Sequence, residues 1–300
     1  MANTISFNRT RIAPTPSGFL HVGNILSFAL TAALAIEAGA AILLRIDDMD
    51  RQRYRSAYVQ DIFEALRFLE IPWHEGPRNL EDFEQHFAQS HRLPLYENAL
   101  TQLQDKHLLF ACKCSRAMLR QDGRCTGDCA DKNISLNDEH VAWRLMWQPC
   151  AFALQTVEKG VIEARLPDDM QYFVVRKKDG NPAYQLSSLI DDAHFGVDFV
   201  VRGNDLWSSS LAQRCLAEVL HLETFKRTVF YHHPLITGRN GEKLSKSAGD
   251  TSLRHIRMQG ASRAEVFTSI AALMGVNAHP ENYTQLADCL WQAGVVPPPY

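Results

Sequence analysis

The sequence predicts an α/β fold, a nucleotide-binding parallel sheet in two halves, split by an insertion and followed by a small helical region. Three observations carry this. Residues 11–24 read as the end of a strand, a Pro/Gly turn and the start of a helix. Ala41 to Ile46 is a short, continuously apolar run ending in charge, as in a buried parallel strand. A second strand–helix–strand alternation returns late, over Val197 to His232, after a long and less regular stretch.

The β-prone run Thr4 to Phe7 is the expected first strand. Pro14 and Pro16 then fix φ and forbid helix through the turn, while Gly18 and Gly23 allow close backbone approach to a ligand. His21 stands just ahead of a long apolar segment, Ile25 to Ala38, expected to be helical and capped by Gly39. The free N–H groups and dipole at such a helix start favour a phosphate. Asp47, Asp48 and Asp50 follow the Ala41–Ile46 strand, at the end where open α/β sheets place their ligands. A second helix is expected over Ser56 to Leu69, with Val59, Ile62, Phe63, Leu66 and Leu69 on its apolar face, stopping before Pro72.

From about Trp73 to Asp191 the pattern reads as an insertion. Leu93 to Leu109 looks helical, with Pro94 tolerated in the first turn. Asp131 to Pro149 is polar and loop-like, and Phe173–Arg176 and Pro182–Leu186 flank a turn-rich Lys178–Asn181, which suggests a β-hairpin. A helical segment (Leu186 to Ala193), a strand (Val197 to Arg202), a helix (Ser208 to Leu220) and a strand (Thr228 to His232) complete the second half of the sheet. Beyond Gly249 the chain is helical and partly basic, with Arg254, Arg257 and Arg263.

Composition narrows the class. With 300 residues, 46% hydrophobic and 22% charged, the chain is long enough for two or three units with a sizeable core. No apolar run is long enough to span a bilayer, and Met1 to Thr4 lack the character of a signal peptide. A net charge of −3 gives no global sign of nucleic-acid binding, so RNA contact would come from local basic patches. Seven cysteines, four of them clustered, point to the reducing cytoplasm and to a metal. Cys112, Cys114, Cys125 and Cys129 offer four thiolates, the closed tetrahedral set of a structural zinc site. The alternatives are free thiols or local disulfides. Cys150, Cys215 and Cys289 read as core or surface thiols.

His21-Val22-Gly23-Asn24 resembles the HIGH signature of class I aminoacyl-tRNA synthetases, and the far-downstream Lys243-Leu244-Ser245-Lys246-Ser247 resembles their KMSKS loop. Leu44-Arg45-Ile46-Asp47-Asp48-Met49-Asp50 is similar to the glutamyl branch. Arg202-Gly203-Asn204-Asp205-Leu206 resembles its truncated glutamyl-Q tRNA(Asp) family, as does the end of the chain soon after Ser247. The resemblance implies a Rossmann-type catalytic domain over 1–98 and 186–240. It also implies an acceptor-like, zinc-containing insertion over 99–185, and a KMSKS-like loop with a helical stem-contact region over 241–300.

It further implies an enzyme that joins glutamate to AMP from ATP, with Mg2+ accompanying the nucleotide, and passes glutamate to queuosine at the wobble position of tRNA(Asp). Such a step needs positioning and charge neutralisation more than a general base. His21, the backbone at Gly23, Lys243 and Lys246 suit the developing phosphate charge, with Lys246 the main transition-state contact; Asn24 and Ser245 join the ATP site. For glutamate, Arg11 and Arg202 resemble the carboxylate-binding arginines. Ala13, Thr15 and Tyr184 match the pocket wall, and Asp47 stands where the family has a glutamate that holds the ammonium. Cys125 stands near the place of the family's zinc-binding tyrosine.

Plainer readings remain beside these. They are a turn histidine, a Lys243 that caps its own turn, a solvent-facing Arg11 and an Asp47 that caps the next helix. At the level of function, the alternatives are a minimal glutamyl-tRNA synthetase charging a 3′ end and a non-catalytic RNA-binding paralogue.

Overall fold

A computed structural model of the chain describes residues 6–119, 125, 127–146, 151–236 and 252–298. Strand β1 (Arg9–Ile12) lies later than the expected Thr4–Phe7 run, because it is Arg9 to Ile12 that pair in parallel register with Ala41 to Leu44 of β2 (Ala41–Leu44). Between them α1 (Val22–Ala38) is apolar almost all round and correspondingly buried. It ends where Gly39 adopts the left-handed conformation, φ 65°, and donates to Ala35 and Ile36 carbonyls. Helix α2 (Ser56–Phe68) presents Val59, Ile62, Phe63 and Leu66 to the same core. After α3 (Leu80–Asp82), a π turn (Phe83–Phe87) and a 3-10 turn (Gln89–Arg92) lead into α4 (Leu93–Asp105), with Pro94 in its first turn. That helix stops four residues short of the expected Leu109, which instead opens β3 (Leu109–Cys112).

The insertion departs most from expectation. Within the polar stretch 131–149, Ala142–Leu145 forms β4, antiparallel to β3. Strands β5 (Ala151–Thr156) and β6 (Gly160–Arg165) make a true hairpin. The hairpin expected over 173–186 is reduced to β7 (Val174–Arg176), which pairs with β4, and a single bridge from Arg176 to Pro182. From Tyr184 the chain is helix α5 (Tyr184–His194), which packs Leu186 and Leu189 into the core.

The second half of the sheet follows the reading closely. Strand β8 (Phe199–Gly203), helix α6 (Trp207–Val219), short helix α7 (Glu223–Lys226) and strand β9 (Val229–His233) succeed one another, with β8 and β9 parallel. The sheet order is β6-β5-β9-β8, so the β5–β6 hairpin extends this sheet rather than the β3-β4-β7 sheet. Strand β1 sits alongside β8: Asp198 N–H donates to the Arg9 carbonyl at 3.1 Å, and the Asp198 carboxylate receives the Asn8 and Arg9 amides. The C-terminal helices α8 (Leu253–Met258), α9 (Arg263–Leu273) and α10 (Tyr283–Gln292) close the fold, with α10 against α1.

One large core joins α1, α2, β1, β2, α9 and α10, and a second fills the space between α4, α5, α6 and the other sheet face. Among the described residues no helix is long and apolar enough to cross a membrane.

Candidate active site and cysteine cluster

A cavity of about 900 Å³ opens where β1, β2 and β8 end. Its wall brings together Arg11, Ala13, Thr15, His21, Gly23, Asn24, Asp47, Tyr184 and Arg202, residues that lie far apart in sequence. Lys243, Ser245 and Lys246 lie outside the described residues. The chain on either side of them does not: Leu235, Ile236 and Ser252 all line this cavity.

His21 is the N-cap of α1. Its Nδ1 accepts the Gly23 N–H at 3.2 Å, while Asn24 Oδ1 accepts the His21 N–H at 3.1 Å. With Nδ1 as acceptor, the proton of the neutral ring sits on Nε2. A Cβ at position 23 would crowd the His21 ring at 3.1 Å, so glycine leaves the capping ring room. The cap therefore engages the Gly23 amide and the Asn24 amide oxygen that the sequence assigns to the nucleotide.

At the other end of the cavity a group of buried charges was only half legible. Arg11 is 6% exposed, which excludes a solvent-facing role. Its Nε donates to Asp192 Oδ1 at 3.2 Å and its Nη1 to the Val201 carbonyl at 3.3 Å. Arg45 clamps Asp47 with two bonds, Nε to Oδ1 at 2.7 Å and Nη2 to Oδ2 at 3.0 Å. Asp47 therefore lines the cavity without capping α2, whose N-cap is Arg55. Burial raises the Asp47 pKa, against the opposing pull of Arg45.

Arg202 donates through Nη1 to Gln213 Oε1 at 3.0 Å and to Ser210 Oγ at 3.3 Å. Among the described residues its Nε and Nη2 are buried with no hydrogen-bond partner, as are Gln213 Nε2 and His232 Nδ1. Such orphans are rare in native interiors and point to a missing polar partner. Burial lowers the Arg202 pKa to about 10, which leaves it cationic at neutral pH. His232 is pushed down to about 3, by burial first and then by Arg202, so it is neutral.

Sequence reasoning missed Arg45, Asp192, Gln213 and His232. The available signal was the charged pair Asp191-Asp192 directly after Leu189-Ile190 within a helical segment. A glutamine in the buried face of α6 was a second.

Away from the cavity, Cys112, Cys114, Cys125 and Cys129 bring their sulfurs within 4.8 Å of one another. Cys114 Sγ lies 3.9 Å from Cys125 and 3.5 Å from Cys129. A tetrahedron with Zn–S bonds of about 2.3 Å has edges of about 3.8 Å, so the four thiols fit a zinc ion. Tyr172 packs edge-on to Phe110 beside the cluster. Burial opposes ionisation of Cys112, yet hydrogen bonds from the Cys114 backbone and Arg144 bring it down to about 7. Cys215 is buried in the second core, Cys289 is half-buried, and Cys150 lies outside the described residues.

With this geometry in place, comparison with known proteins is specific. The family model of tRNA synthetases class I (E and Q), catalytic domain, matches residues 8–142 and 153–288. The chain is 35% identical over 297 residues to the glutamyl-Q tRNA(Asp) synthetase of Synechococcus sp. (strain CC9605), covering 96% of this chain and 90% of the relative. It is 30% identical over 283 residues to glutamate–tRNA ligase 2 of Syntrophus aciditrophicus (strain SB), covering 89% of this chain but 57% of that ligase. A crystal structure of the glutamate-tRNA synthetase from Elizabethkingia anophelis superposes with a TM-score of 0.72 at 22% identity, over 93% of this chain and 65% of the other.

Proposed function

The chain belongs to the class I tRNA synthetases of the E and Q type, and from that premise we propose that this ligase activates glutamate with ATP and transfers it to queuosine of tRNA(Asp). The observation that carries the reading is the shared cavity. The His21 cap borders it on one side together with Leu235, Ile236 and Ser252, which flank the stretch carrying Lys243–Ser247 in sequence, and Arg11, Arg45 and Arg202 border it on another.

In this reading the triphosphate lies by α1. The His21 Nε2–H and the ammonium groups of Lys243 and Lys246 meet charge that grows on the α-phosphate as the glutamate carboxylate attacks and pyrophosphate leaves. Ser245 and the remaining amide donor of Asn24 assist in holding the nucleotide, which carries Mg2+. No residue needs to remove a proton, because the attacking carboxylate is already ionised.

Glutamate selection follows from charge. Four buried guanidiniums, Arg11, Arg45, Arg92 and Arg202, stand against three buried carboxylates, Asp47, Asp191 and Asp192, leaving one positive charge. Zwitterionic glutamate carries a net charge of −1, and glutamine carries none. The unpartnered Nε and Nη2 of Arg202 suit a bidentate carboxylate. Tyr184, Ala13 and Thr15 form the wall around it. The lone pairs of Asp47 not used by Arg45 are the acceptor for the ammonium.

We read the four cysteines as a structural zinc site within the insertion over 99–185, between the catalytic halves 1–98 and 186–240. The queuosine acceptor rests on the Arg202–Leu206 motif and on relatives bearing that name. Its test is transfer of labelled glutamate to tRNA(Asp) with and without queuosine. Labelling confined to queuosine-containing tRNA(Asp) supports the proposal; charging of a tRNA(Glu) 3′ end would favour the minimal glutamyl-tRNA synthetase instead.

A further inference from the structure

Asp192 has no exposed surface and does not line the cavity, yet it holds two arginines that do. Its Oδ1 receives Arg11 Nε at 3.2 Å and Arg45 Nη1 at 2.7 Å. Arg45 is fixed further by Asp47 and by Ser188 Oγ at 3.2 Å. Arg11 has only Asp192 and the Val201 carbonyl as acceptors among the described residues. The Arg11 guanidinium is therefore held by one carboxylate, set back from the cavity wall, and one backbone carbonyl.

Two buried guanidiniums side by side repel, and an acceptor between them turns that repulsion into a fixed geometry. Orientation matters because an arginine binds a carboxylate through a planar fork. A neutral acceptor of the same shape keeps the packing but loses the charge.

We propose that Asp192 is the positioning residue of the glutamate site: by sharing one oxygen between Arg11 and Arg45 it aims the Arg11 fork at the substrate carboxylate and keeps Arg45 on Asp47. This rests on the glutamate reading above. Asp192 acts through the arginines, so its loss changes amino-acid binding and leaves the nucleotide end of the cavity alone.

The test is steady-state ATP–pyrophosphate exchange with glutamate. Asp192→Asn should raise the glutamate KM about 10- to 100-fold, the range for a hydrogen bond to a charged group, while kcat and the ATP KM change less than about threefold. In an Arg11→Ala background the same substitution should have a clearly smaller effect, because one of the two arginines that relay it is gone. A fully additive double-mutant cycle, or an equal rise in both KM values, would overturn the proposal. Asp192→Glu keeps the charge but displaces the shared oxygen, so it serves even if Asp192→Asn fails to fold. A raised glutamate KM with an unchanged ATP KM in Asp192→Glu supports the proposal, and an unchanged glutamate KM refutes it. Wild-type protein without glutamate-dependent exchange would refute the underlying activity rather than the role of Asp192.

Discussion

The carbonyl of Leu20 accepts the backbone N–H of Leu253 at 2.7 Å, and the adjoining His21 and Ser252 pair as an antiparallel bridge. The turn that precedes α1 is thereby stitched to the start of α8, immediately after the stretch containing Lys243 and Lys246. Arg257 reinforces the join from one turn further on, with Nη1 3.2 Å from Asp61 and Nη2 2.8 Å from Glu64 of α2. The His21 turn and Ser252, from distant parts of the sequence, thus share one cavity wall.

For that reason Lys246→Ala should lower kcat of glutamate-dependent ATP–pyrophosphate exchange by about 10²–10³, the usual effect of removing one donor to transition-state charge. Glutamate affinity, measured by calorimetry, should change less than about threefold. Parallel loss of affinity and rate would remove Lys246 from the transition state.

Arg202→Lys keeps a cation but not the planar fork, and leaves Gln213 and Ser210 without their donor. The expected result is a rise in glutamate KM of about 10- to 100-fold. Preference for glutamate over glutamine in competition assays should fall with it. An undiminished preference would show that Arg202 does not read the side-chain carboxylate.

If the four cysteines hold zinc, the wild-type chain should carry about one zinc per chain by metal analysis, and Cys129→Ser, which removes one of the four ligands, should carry none. The insertion should become protease-sensitive, while adenylate formation persists in part because the cysteines lie outside the cavity wall. Full zinc content in that variant would refute the ligand set.

Stability should also depend on pH through His232. Its folded pKa, about 3, lies below the ordinary value of 6.5, so the unfolded chain binds the extra proton first. The contribution is complete above about pH 6.5 and is lost as pH falls toward 3, amounting to about 2 kcal/mol by pH 5. Urea midpoints measured from pH 7 to 5 should fall, and His232→Gln should flatten that slope. An equal slope in the variant would assign the effect to other groups.

Much of this was legible in the sequence because local rules governed it. Gly39 ends α1 where a left-handed residue is needed, the Ala41–Ile46 run read as a buried strand contains β2 (Ala41–Leu44), and β8, α6 and β9 follow the expected alternation. Local rules misled where tertiary pairing decided the outcome. The Lys178–Asn181 turn promised a hairpin, but Tyr184 to His194 carry a helical apolar face that packs into the second core. Ala142–Leu145 lies in a polar neighbourhood and becomes a strand because β3 and β7 flank it. The site divides in the same way. His21, Arg11 and Arg202 carry motif signals, whereas the roles of Asp192 and Arg45 emerge only when Asp192 of α5 meets Arg11 and Arg45, bringing together charges that are far apart in the chain.

The most direct test of the account is ATP–pyrophosphate exchange by the wild-type protein with glutamate and no tRNA, beside His21→Ala. We expect exchange that depends on glutamate, is not supported by glutamine, and falls by about 10²–10³ in the variant. No exchange with glutamate, or equal exchange with His21 removed, would contradict a cavity built to join an amino acid to AMP.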